Sequence, residues 1–98
     1  MAETNMQLSA KLAAYVMALE HCAANTHRAE DRPIYASYLA DAAGLLAHSV
    51  AGSPLSTIQS RISAHNRLWG YTWLQDPVFK PAADRFSEVE EELKRAAI

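Results

Sequence analysis

At 98 residues and a formal net charge of −2, the chain is long enough for one hydrophobic core and too short for two. Half of it is hydrophobic and a fifth charged, the mix of a globular domain, and the slight acidity disfavours a nucleic-acid binder, which carries a basic face. A single cysteine, Cys22, excludes an internal disulfide, and neither a charged-then-apolar leader nor an apolar run of bilayer length is expected, so the expectation is a cytoplasmic protein that makes no membrane contact.

The first helix is predicted over residues 6–26. Leu8, Leu12, Tyr15, Val16, Leu19 and Cys22 recur at helical spacing and form one apolar stripe. On the opposite side Met6, Ala10, Ala13, Met17 and Ala24 form a second. A helix apolar on two sides is either central in a bundle or packs against a second chain. Met6, Ala10, Ala13 and Met17 are therefore the candidate self-association residues, and a two-fold homodimer is the expected assembly.

Asp31-Arg32-Pro33 opens the second helix, with Asp31 or Arg32 capping and Pro33 in the first turn. Its stripe comprises Ile34, Tyr35, Tyr38, Leu39, Ala42, Leu45, Leu46 and Val50. Ala36, Ala40, Gly44, Ala47 and Ala51 add a small-residue edge, expected to pack tightly inside the bundle. Gly52-Ser53-Pro54 is the clearest boundary: Gly52 stops one helix in the left-handed conformation, Ser53 caps the next, and Pro54 is its first residue.

The third helix carries Leu55, Ile58, Ile62, His65 and Trp69 on one side and ends at Gly70. A short turn over residues 77–80 then precedes a last helix from Pro81. Ala82, Phe86, Val89, Leu93 and Ala96 or Ala97 make its narrow stripe. Glu90 with Lys94 and Glu91 with Arg95 are favourable pairs one turn apart, and residues 88–92 read as a solvated acidic face. No strand-like alternation appears. The expected fold is all-α, a small bundle of four helical segments in a single domain spanning 1–98, with an aromatic-rich loop between the third and fourth. Leu12, Leu19, Leu39, Leu46, Ile58, Ile62, Phe86 and Leu93 should form its core.

No cofactor or metal signature is present. His21, His27, His48 and His65 include no pair one turn apart, and His65, on an apolar stripe, is read as a core histidine bonded to a backbone carbonyl. Cys22 is read as a small buried hydrophobe. No serine stands in a nucleophile elbow, and no glycine-rich loop could hold phosphate, so no enzyme is expected.

Residues 65–77 hold both tryptophans and one of the three glycines. Arg67, Trp69, Tyr71 and Trp73 are the side chains enriched in interaction hot spots and are the candidate partner-binding residues; the alternative is a plug closing the bundle. The leading expectation is a protein–protein interaction module of adaptor, regulator or immunity type. One alternative is a small-molecule-binding bundle with a pocket lined by Tyr15, Tyr35, Tyr38 and the two tryptophans. A weaker one is a helix-turn-helix DNA regulator whose third helix would read bases with Gln59, Arg61, Asn66 and Arg67.

Overall fold

A computed structural model describes the backbone of residues 2–69 and 77–97; Gly70, Tyr71, Trp73 and the rest of residues 70–76 lie outside the described residues. Among the described residues the chain is an all-α bundle of four helices: α1 (Ala2–Asn25), α2 (Arg32–Val50), α3 (Leu55–Trp69) and α4 (Lys80–Ala97). Two short 3-10 turns, Ala29–Asp31 and Pro77–Phe79, lead into α2 and α4. No strand occurs among the described residues.

Each helix lies beside its neighbours in chain order, and α4 returns to flank α1, so the four close into a ring. Cross-links fix the directions. Ser9 near the start of α1 bonds Ser49 near the end of α2, at 2.7 Å between hydroxyls. Tyr15 packs on Phe86 while Cys22, further along α1, bonds Val78. Successive helices therefore run antiparallel.

The first stripe of α1 is the heart of the core: Leu8, Leu12, Tyr15, Leu19 and Cys22 are fully buried. Tyr35, Tyr38, Ala42 and Leu45 join it from α2, Ile58 and Ile62 from α3, and Ala82, Phe86, Val89 and Leu93 from α4. Leu39 and Leu46 are half-buried against this cluster. Ile34 and Val50, next to the buried Tyr35 and Ser49, face away from the core and are exposed. Phe79 in the second 3-10 turn is fully buried although its segment reads as a connector.

α1 begins four residues earlier than its periodicity suggests, because Ala2-Glu3-Thr4-Asn5 contains no helix breaker. Asp31 stands at the start of α2, but its backbone is already helical (φ −88°, ψ −14°) and its carboxylate takes the Arg28 Nε at 2.8 Å. A side-chain cap needs an extended backbone, so Asp31 makes none.

The turn between α2 and α3 corrects one cap and bears out another. The amide of Gly52 donates to Ser49 (3.1 Å) and that of Ser53 to His48 (3.0 Å), the paired bonds of a Schellman stop, with Gly52 at φ 79°. Ser53, expected to cap α3, instead shares a 3.1 Å hydrogen bond between its hydroxyl and Nδ1 of His48. Pro54 accepts the first helical bond, from Ile58, so α3 starts one residue late. Gly52→Ala should destabilise the fold by about 1–2 kcal/mol, the cost of a left-handed Cβ. Urea unfolding at constant m-value checks it.

The small-residue edge of α2 does not pack inside the bundle. Ala36, Ala40, Gly44, Ala47 and Ala51 are all exposed, and a Cβ added at Gly44 would meet nothing within 4 Å. The neighbours of α2 occupy its flanks and leave this edge outward. On α4 the outer ion pairs also differ. Arg95 bonds Glu92 at 2.9 Å rather than Glu91, and Glu90 forms no ion pair with Lys94 among the described residues. Glu92 itself is buried, at the flank of the core stripe, so residues 88–92 are not a uniformly solvated face.

Candidate functional site

Two features stand apart from ordinary packing: a buried polar triad and an uncovered face of α1.

The triad joins three helices. His65 on α3 is fully buried between Tyr15 of α1 and Asp41 of α2. Its Nδ1 lies 2.8 Å from Asp41 Oδ2 and its Nε2 lies 2.5 Å from the Tyr15 hydroxyl. A carboxylate only accepts, so Nδ1 carries the proton of the neutral ring. Nε2 is then the acceptor, and Tyr15 O–H donates to it. The expected backbone-carbonyl partner is thus replaced by two side chains. Burial pushes the His65 pKa below the ordinary histidine value, and the hydrogen bond and charge of Asp41 pull it partly back.

Rings surround the imidazole. Tyr15 meets it edge-on at 5.4 Å, Phe86 is tilted at 5.6 Å, and Tyr38 stands edge-on at 6.1 Å. Tyr38 and Tyr35 continue to Phe79 at 6.0 and 5.8 Å. One aromatic cluster, drawn from α1, α2, α4 and the second 3-10 turn, surrounds the histidine that α3 supplies.

Acid, imidazole and hydroxyl in sequence resemble a nucleophile's activating chain, but the wanted nucleophile is absent from solvent. Tyr15 and His65 have no exposed surface, and only Asp41, its side chain 43% exposed, reaches water. A group that no substrate can touch performs no chemistry on one. The triad is a structural lock that ties three helices at mid-height.

It also bears on two sequence expectations. Asp41 lies well before the end of α2 and His65 well into α3, so their contact requires the two helices to run alongside each other. A helix-turn-helix crosses at about 90–120°, which would separate these residues. Gln59, Arg61, Asn66 and Arg67 are exposed on α3 but sit on a bundle hairpin. Tyr15, Tyr35 and Tyr38, expected to line a pocket, are buried core residues: Tyr35 and Tyr38 pack on each other, and Tyr15 packs on His65 and Phe86.

The second feature lies on the outside of α1. Met6 is 66% and Met17 68% exposed, with Ala10 and Ala24 exposed and Ala13 half-buried along the same line. The second stripe is therefore not covered by the described part of the chain. A shallow open groove runs beside it toward α4, lined by Ala14, Met17, Ala18, His21, Pro81 and Arg85.

Of the candidate partner-binding residues, Arg67 is exposed on the last turn of α3 and Trp69 is its final residue; Tyr71 and Trp73 lie outside the described residues. No group of three metal-ligating side chains occurs among the described residues, and no described helix is long and apolar enough to cross a membrane. No family model matches the chain, and neither curated proteins nor solved structures gave a match.

Proposed function

We propose that this chain is a non-catalytic protein–protein interaction module that associates with itself through the outward face of α1. The observation that carries the reading is the pair of exposed methionines, Met6 and Met17, set in a line of alanines on the helix that is also the centre of the core. Methionine is adaptable and alanine lets helices approach closely, so the line suits a repeated, symmetric contact. A domain this small has a further use for apolar area buried between copies. Arg67 and Trp69 at the end of α3, with Tyr71 and Trp73 following, are the proposed contact for a second, different protein.

The test is light scattering over a dilution series for the natural chain and for Met17→Glu. The natural chain should have twice the monomer mass. Met17→Glu should raise the dissociation constant at least 100-fold, because closing the interface would bury an unpaired charge at a cost of about 3 kcal/mol or more. Unchanged circular dichroism in the variant separates dissociation from unfolding. A natural chain that is monomeric at every accessible concentration would end the reading.

A further inference from the structure

Among the described residues α3 is held to the bundle by few side chains. Ile58, Ile62 and His65 are its buried ones, whereas α1 buries Leu8, Leu12, Tyr15, Leu19 and Cys22. α1 packs broadly on both α2 and α4, while α3 leans on α2 and meets α4 only sparsely. One of the anchors of α3 is therefore a base, and the same ring supplies its bonds to α1 and α2.

We propose that His65 is a proton-operated latch: when its ring takes up a second proton, α3 lets go of the other three helices, which stay packed on one another. This goes beyond the association reading and does not depend on it.

The surroundings of the ring set the direction. Tyr15 from α1 and Tyr38 and Asp41 from α2 are the titratable groups that face it, and α4 contributes the Phe86 ring. The tyrosines stay neutral in acid, so Asp41 is the charge that eases a proton onto His65. It does so from a half-exposed position, and burial of the ring outweighs it. An imidazolium is poorly accommodated among three aromatic rings and well solvated in water, so acid favours the released state. Little else opposes release. The other described side chains of α3 from Leu55 to Arg67 are exposed or half-buried, and the Gly52 stop already separates the helix from α2. What release uncovers is the apolar seat of Ile58 and Ile62, a surface opened by acid.

One proton sets the scale. Below about pH 6.5 the released population rises by at most tenfold for each pH unit, until the latched ring itself titrates. Amide exchange read by nuclear magnetic resonance at several low urea concentrations, between pH 7.5 and 5, tests both halves of the proposal. The amides of Ile62 and His65 should exchange through an opening whose urea dependence is about half that of Leu12 and Leu19 or less, because a single helix exposes less surface than the whole fold. Corrected for intrinsic exchange, their protection should fall with acid as stated in the natural chain. In His65→Gln, whose amide offers a donor and an acceptor but takes up no proton in this range, the fall should be absent. In Asp41→Asn, which still accepts from Nδ1 without the charge, the fall should continue to lower pH than in the natural chain.

Exchange of the α3 amides only with the full urea dependence of α1 would overturn separate release. A separate opening whose pH profile is the same in His65→Gln would overturn the role of the proton. Should His65→Gln fail to fold, Asp41→Asn decides alone: a fall that levels off where the natural chain does would overturn the latch.

Discussion

Phe86→Ala is expected to lower the stability of the fold by about 3–5 kcal/mol, the usual cost of removing a buried aromatic ring. Phe86 is 1% exposed and touches Tyr15 at 5.1 Å and His65 at 5.6 Å between ring centres. The void would open where α1, α3 and α4 meet, and α3 touches α4 far less than α1 does, so little else is available to collapse into it. Domains of this size hold only about 5–15 kcal/mol in total, so the melting temperature should fall by at least 10 °C. Calorimetry or thermal circular dichroism checks it. A loss below 1 kcal/mol would mean that the aromatic cluster does not hold α1, α3 and α4 together.

His65→Ala is expected to cost about 3 kcal/mol at pH 7.5, from the void left by the ring together with the lost bonds to Tyr15 and Asp41. Its pH signature is more specific. The folded-state pKa of His65 lies below its ordinary value of 6.5, so between the two the unfolded chain binds the additional proton. Stability contributed by neutral His65 is therefore complete above about pH 6.5 and is lost as pH falls through that value toward the folded pKa. Protonation also places a hydrogen on Nε2, where the Tyr15 hydroxyl now donates, so the lock must rearrange to hold. Urea unfolding at several pH values should show the natural chain losing stability below pH 6.5 more steeply than His65→Ala. Parallel pH profiles for the two chains would remove His65 from the account.

Much of this architecture is legible in the chain because it is written in local spacing. The stripe of Leu8, Leu12, Tyr15, Leu19 and Cys22 needs only a period of 3.6, and Gly52 before Ser53-Pro54 needs only a stop followed by a restart. The short turn before α4 follows from two closely spaced prolines. The triad is not written that way. Asp41 and Tyr15 lie 24 and 50 residues from His65, and nothing local relates them. A usable signal was the position of His65 itself. A histidine in line with Ile58 and Ile62 must satisfy two ring nitrogens inside the core, and polar groups at the edges of facing stripes are where to look. Phe79 is hidden for the opposite reason: a turn between prolines reads as connection, while its ring packs against both Tyr35 and Tyr38. Asp31 stands at the expected cap position of α2 but makes no capping bond, and Ser53 does not cap α3. The helical backbone of Asp31 leaves its carboxylate to Arg28, and the Ser53 hydroxyl is engaged by His48.

The burial of Cys22 gives this chain a built-in clock. The thiol is fully enclosed and donates to the carbonyl of Val78 at 3.2 Å, fastening the end of α1 to the turn that leads into α4. As the sole cysteine, it gives a labelling reagent one target, and the reagent can reach it only when that fastening opens. The rate of modification under native conditions then measures how often the two ends of the chain's ring come apart, separately from global unfolding. Followed in the absence and presence of whatever protein the bundle meets, that rate reports whether contact at a distant surface makes the closing seam of the ring open less often.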